Sequence, residues 1–305
     1  MLGDLYYGTL HNTGITTLAR RARRGALVLC YHNVVPHTDR LPAFGDPGLH
    51  LPIERFAAQA HWLKDRYTVV PLRELVTRIE AGRVVRGLAA ITFDDGYVGA
   101  FTYAWPLLRE LGLPATMFIV AGAPSRPTVF WWDHPAVVHA DRPGTRHRRL
   151  LSLCGDRDRI MKDAAATENL PPDMPTTHLP ADWAVVAKEA AAGLELGAHT
   201  ITHRTLTTLS DAELARELAA PRDIIREHTG VQPVSFSYPY GIWDPRVREA
   251  VRGAGYRAAV TLDYGLNPVG TDVCEVRRIN VPASISLPAF AGWAAGIRPR
   301  RAPAA

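Results

Sequence analysis

The sequence predicts an α/β protein whose parallel sheet is covered by helices, and three observations carry that expectation. Short apolar runs with β-branched residues recur along the chain, stretches with helical spacing separate most of them, and polar residues follow several of the runs directly. Apolar strands alternating with helices imply a sheet buried on both faces, either open or closed into a barrel, with its chemistry at the C-terminal ends of the strands.

Taken in order, residues 5–24, within an N-terminal unit 1–25, read either as a basic helix on a membrane surface or as an ordinary packed helix or loose tail. The first strand is "ALVLCY" (26–31). The stretch "RRARRGALVLCYHN" places basic before apolar residues, but the apolar run ends at His32 and no small-residue cleavage site follows, so it is read as a strand and not as an export signal. Ile53, Phe56, Ala60 and Leu63 recur at helical spacing, as do Leu72, Leu75, Val76 and Ile79, and "TVV" (68–70) lies between them. Strands follow at "LAAITF" (88–93) and "ATMFIV" (115–120). From about 122 to 182 the chain is rich in proline, arginine and histidine, which predicts an insertion covering the site. A strand at "LELGA" (194–198) precedes "SDAELARELAAPRDIIREHTG", a helix that opens with Ser210 and Glu213 in capping-box spacing and closes on Gly230. The runs "VSFSY" (234–238) and "RAAVTL" (257–262) bring the parallel strands to about seven. Residues 26–297 are expected to form one domain, and the tail 298–305 to be disordered.

Composition narrows the function classes. The net charge of +5 comes with three lysines, so 32 of the 35 basic residues are arginines spread along the chain without aromatic interleaving, a poor fit to nucleic acid. Cys30, Cys154 and Cys274 are widely spaced and form no CxxC pair, which fits a reducing compartment better than a disulfide framework or thiolate metal site. No apolar stretch approaches the roughly 20 residues that span a bilayer. A cytoplasmic location, or one peripheral to the inner membrane face through the basic N-terminus, is the expectation. Nothing in the sequence fixes an oligomeric state.

The chemistry concentrates where the third strand ends, in "ITFDDGY". Successive side chains of a strand point to opposite faces, so Asp94 and Asp95 serve one site only if the strand stops and the backbone turns, which Gly96 permits. Two carboxylates so close raise one another's pKa unless a cation accepts one and leaves the other ionised beside it. His199 and His203, four apart after the fifth strand, complete an Asp-plus-two-His set with positions open for water and a substrate oxygen. Alone, a "DDG" turn or an HxxxH pair is ordinary; their common placement after strands of one sheet is what points to a metal hydrolase.

At these residues the chain resembles the polysaccharide deacetylases of carbohydrate esterase family 4, which carry the NodB homology domain. Residues 92–96 read T-F-D-D-G and residues 199–203 read H-T-I-T-H, matching the first motif and the second, H-[ST]-x-x-H; "CYHNVVP" looks like the branch with a Tyr-His first strand. The resemblance implies a distorted (β/α) barrel with a divalent ion, commonly Zn²⁺, on Asp95, His199 and His203, and Asp94 as general base. The third motif, "FSYPYG" (236–241), implies an oxyanion contact from the Tyr240 backbone N–H.

Two departures follow. Many members carry an arginine where this chain has Ser237, and the usual C-terminal Leu-x-x-His general acid is missing, because no histidine follows His228. His32, after the first strand and so beside the last in a closed barrel, is the natural replacement; its alternative role is a loop hydrogen bond. Arg278 either approaches Asp94 from the last strand or serves on the surface, in contact with substrate. Trp131, Trp132 and Asp133 either line a sugar site, Trp132 foremost, or pack under a loop. The expected function is release of acetate from an N-acetylated amino sugar in a polysaccharide, glycolipid or glycoside. The rivals are a deformylase or O-acetyl esterase, and a carbohydrate-binding protein without turnover.

Overall fold

The computed structural model describes residues 2–36, 45–126, 128–142, 144–170 and 172–297. The tail 298–305, expected to be disordered, lies outside them. Among the described residues ten strands are formed: β1 (Leu27–Tyr31), β2 (Asn33–Val35), β3 (His50–Pro52), β4 (Thr68–Val69), β5 (Leu88–Phe93), β6 (Thr116–Ile119), β7 (Glu195–Ala198), β8 (Ser235–Ser237), β9 (Ala258–Val260) and β10 (Ile279–Asn280). The main sheet runs β10-β1-β5-β6-β7-β8-β9, all parallel, with β4 paired to the start of β5 and β6 to its end. It is the curled sheet of a distorted (β/α) barrel, as the family resemblance implies. β2 and β3 pair separately, and no apolar run announces them.

The ends of the curled sheet are laced together by residues 273–281. This segment bonds β9 first, through Ala259 N–H to Val273 O at 2.8 Å and Thr261 N–H to Val276 O at 2.8 Å, and then pairs with β1 through Leu29↔Ile279. First and last strands are therefore neighbours.

The alternation along β1 and β5 sorts side chains between two environments. Leu29, Tyr31, Ile91 and Phe93 join the large cluster with Phe56 and Leu63 of the helix Ile53–Lys64. Val28 and Ala90 point the other way and gather with Phe118, Val260 and Val276. The helix Leu72–Glu80 adds Leu72, Leu75, Val76 and Ile79 to that second cluster, so the base of the barrel is apolar. One and two pleats further along the same faces come Cys30, Thr92 and Asp94, and the polarity changes toward the C-terminal ends.

The helix Asp211–Thr229 has both halves of the capping box at Ser210 and Glu213 and ends on Gly230 at φ 72°. Between β6 and β7 the chain forms short helices, among them Trp131–Asp133, Thr145–Leu151 and Arg157–Asp163. At the N-terminus are the helices Leu2–Asn12 and Ile15–Ala22. The first packs on the helix Leu287–Ala294, where Gly292 leaves room for the Tyr7 ring: a Cβ there would stand 2.5 Å from it. Among the described residues no helix is long and apolar enough to cross a membrane.

Candidate active site

β5 ends at Phe93, and the next two residues answer how adjacent aspartates reach one cleft. Asp94 continues the pleat inward and its N–H bonds Tyr31 O at 2.9 Å; Asp95 (φ 74°) and Gly96 (φ 85°) then both adopt the left-handed conformation and turn the second carboxylate back. Thr200 (φ 65°), His203 (φ 60°) and Tyr240 (φ 59°) share that conformation. Strain of order 1–3 kcal/mol per such residue persists where the surroundings hold it in place.

Those surroundings are specific around the histidines. Thr200 Oγ donates to His199 O at 2.5 Å and accepts the His203 N–H at 2.8 Å, closing the turn between them. Glu217, buried on the helix Asp211–Thr229, accepts the N–H of Ile201 (2.8 Å), the N–H of Thr202 (3.1 Å) and the Thr202 hydroxyl (2.5 Å). The sequence reading missed Glu217. Its signal was an acidic residue within the buried stripe Leu214, Leu218 and Ile225.

Asp95, His199 and His203 converge. Asp95 Oδ1 lies 3.6 Å from His199 Nε2 and 3.4 Å from His203 Nε2, and the two nitrogens are 3.0 Å apart. Ligands at zinc-like distances and tetrahedral angles stand about 3.3–3.5 Å from one another. His199 Nδ1–H donates to Ser237 O at 2.7 Å, which leaves its Nε2 lone pair facing the others. Burial lowers the pKa of both imidazoles, and for His203 the neighbouring His199 adds to it, so both rings are neutral. Asp95 Oδ1 is buried without a hydrogen-bond partner, and burial, reinforced by Asp94 and Asp133, raises its pKa well above the carboxylate range. Two neutral imidazole nitrogens and a carboxyl oxygen with no hydrogen-bond partner face one another, and a divalent cation there would let Asp95 ionise.

Asp94 has a different environment. Burial alone would raise its pKa, but Arg278 overrules it and holds the carboxyl well below the usual range. Arg278 Nη1 and Nη2 each reach an Asp94 oxygen at 2.7 Å. The same guanidinium also donates to Thr92 Oγ (3.1 Å), Ser237 Oγ (2.8 Å) and Thr261 O (2.9 Å), so all five N–H groups are spent. Arg278 is fully buried. The expectation that it contacts substrate is therefore corrected: it occupies the other expected place, against Asp94, and fills from the seam the position that Ser237 leaves. Ser237 Oγ itself donates to Asp94 Oδ2 at 3.0 Å.

His32 follows β1 and lines the same cleft of about 170 Å³ as Asp94, Asp95, His199, His203, Trp132 and Tyr240. Burial pushes its imidazole down to about 4, against the opposing charge of Asp94. Cys30, His32 and Asp94 also bring donor atoms within 4.8 Å of one another. This trio suits no ion: burial keeps the Cys30 thiol protonated, and Asp94 is taken by Arg278.

The Tyr240 N–H enters none of the backbone bonds of its turn. Its hydroxyl donates to His203 O at 3.0 Å and accepts Trp131 Nε1–H at 3.2 Å, and its ring stands edge-on to His203 at 4.5 Å. Trp132 stacks on Phe130 at 4.8 Å, tilts against His203 at 4.6 Å and donates Nε1–H to Tyr97 OH at 2.7 Å. Asp133 does not line the cleft; it lies beneath, fully buried, accepting from Tyr97 OH (2.6 Å) and meeting His50 Nε2 at 2.9 Å. At the cleft edge Arg146 Nη1 pairs with Asp46 Oδ2 at 2.7 Å, two lining residues that no sequence signal singled out.

The profile of the polysaccharide deacetylase family matches residues 82–259. YxkH of Bacillus subtilis (strain 168), a protein named for the same family, is 22% identical over 247 residues, covering 80% of this chain and 70% of its own. The structure of IcaB from Ammonifex degensii superposes with a TM-score of 0.63 at 21% identity, over 90% of this chain and 98% of that one. The Streptococcus pyogenes deacetylase PplD, solved in complex with acetate, gives 0.61 at 16% identity over 86% and 94%. The matched span is more than half of the chain and contains both the 92–96 and 199–203 motifs, so the chain belongs to the polysaccharide deacetylase family, hydrolases acting on carbon–nitrogen amide bonds.

Proposed function

We propose that the chain is a metal-dependent deacetylase that hydrolyses the acetamide of an N-acetylated amino sugar, with residues 26–297 as one catalytic domain. The observation that carries this reading is the junction of two carboxylates in opposite states. Asp95 faces two neutral imidazoles, and Asp94 beside it is kept ionised by a saturated guanidinium.

Asp95, His199 and His203 would hold the ion, which when bound polarises a carbonyl and acidifies water. Asp94 is the base that takes the proton of the attacking water as its oxygen bonds the acetyl carbon. The Tyr240 N–H donates to the oxygen that gains charge. His32, neutral at pH 7, receives the proton from Asp94 and delivers it to the nitrogen as the C–N bond breaks, giving acetate and a free amine. Trp132 walls the cleft at His203, and the Asp46–Arg146 pair at its edge offers hydrogen bonds to sugar hydroxyls. The non-catalytic reading rested on the missing third-motif arginine and the missing C-terminal histidine; Arg278 against Asp94 and His32 in the cleft speak against those two grounds. Three free thiols support a reducing compartment.

The test is incubation of metal-loaded protein with a library of N-acetylated glycosides, read by mass loss of one acetyl unit. Asp94→Asn should cut turnover at least about 10³-fold and retain the ion. Full activity in that variant, or acid release untouched by a chelator, overturns the reading. Release of formate instead of acetate changes the substrate and keeps the site.

A further inference from the structure

The helix Ile15–Ala22 is built inside out. Its inward positions are Thr16, which is buried, with Ala19 and Arg20 half-buried; Ile15, Leu18 and Ala22, one face at helical spacing, are exposed. Leu18 is 70% exposed and Ile15 47%, and Leu5 on the preceding helix is 70% exposed. An ordinary surface helix presents the opposite arrangement.

Arginines frame this face. Arg20, Arg21, Arg23 and Arg86 line a cavity of about 260 Å³ in which no acidic residue takes part. The hydrogen bonds of three of them go to backbone carbonyls: Arg20 to Arg66 O, Arg23 to Gly296 O and Arg86 to Arg21 O. The last bond ties Arg86, two positions after the exposed Val84, to the end of the helix. Arg66, whose carbonyl Arg20 contacts, pairs with Asp65 at 3.5 Å.

We propose that this face docks on an anionic phospholipid bilayer, with Ile15 and Leu18 entering the headgroup boundary and the surrounding arginines meeting lipid phosphates. A second copy of the chain is the poorer occupant, because a symmetric contact sets arginine against arginine, and no acidic residue lines the arginine cavity. The arginine cavity lies where β1, β4 and β5 begin, beside Gly25, Tyr67 and Gly87, whereas the cleft lies where the strands end. The docked protein therefore presents its cleft away from the lipid. The proposal is independent of the catalytic reading.

The test is co-sedimentation of the full chain with vesicles of phosphatidylcholine alone or with about one third phosphatidylglycerol. Binding should require the anionic lipid and fall at least tenfold in 0.5 M salt. Arg21→Ser with Arg86→Ser should lower the partition coefficient roughly 25-fold, from about fivefold per arginine, and Ile15→Ser with Leu18→Ser at least tenfold. Thermal midpoints report that both variants are folded. Wild-type protein that ignores the anionic lipid, folded variants that bind as tightly as wild type, or a dimer abolished by the same substitutions would each overturn the proposal.

Discussion

Arg278→Met takes away the cation that neutralises Asp94, and the structure sets the size of the effect. Two N–H···O bonds of 2.7 Å place the charge centres about 4 Å apart, which at an effective dielectric constant near 20 corresponds to about 4 kcal/mol. Both partners are buried, so the cost of stranding one carboxylate falls in the range of about 3–5 kcal/mol. Asp94→Asn strands the guanidinium instead and should cost about as much. The double variant strands neither, so its loss should be smaller than the sum of the single losses by at least about 2 kcal/mol. The assay is urea unfolding of the four proteins with a chelator present, so that ion loading does not enter the comparison. Single losses that add within about 0.5 kcal/mol would refute the argument that Arg278 acts through Asp94.

A divalent ion supplied at 100 times its Kd should raise the unfolding free energy of the wild type by about 2.7 kcal/mol, and Asp95→Asn or His199→Ala should abolish that rise in a thermal-shift titration. Glu217→Ala removes the acceptor of three donors in the loop between the histidines; it should weaken ion binding about 10–100-fold in competition with a chelating dye, and Glu217→Gln, which keeps one acceptor, should recover part of that loss. Burial raises the Glu195 carboxyl from 4.5 to about 7, with the Arg73 N–H partly opposing, so between those pH values the folded protein keeps a proton that the unfolded chain has released. Stability from this group therefore falls as pH rises from 4.5 to 7; Glu195→Gln should raise the unfolding free energy by about 1–3 kcal/mol at pH 8 and leave it nearly unchanged at pH 4.5.

The legible parts of the sequence were those encoded locally. The strands at 26–31, 88–93 and 194–198, and the helix from Ser210 to Gly230, announce themselves by apolar runs, caps and glycine, and each is present. β2 and β3 were not legible because each has three residues and their pairing is held by distant groups, such as Asn33 Nδ2 to Thr177 O at 2.9 Å. The motifs at 92–96 and 199–203 named four site residues, since turn and ligand spacing are local matters. What holds them in place is long-range. Arg278 and Asp94 stand 184 positions apart, so their meeting depended on which strand closes the sheet, and the sequence left two roles for the arginine open. Tyr240 was expected through its N–H, but the contact of its hydroxyl with His203 depends on how the two turns face each other.

The strand that laces the sheet shut is also the one that carries Arg278. β10 has two residues, and its grip on β1 is correspondingly slight beside the five-residue pairing of β1 with β5. If this hem frays while the remaining strands stay intact, Asp94 loses its counter-charge although the circular dichroism of the protein barely changes. Inactivation in mild denaturant would then run ahead of unfolding, and the C-terminal segment would set the working range of the enzyme more narrowly than its global stability does.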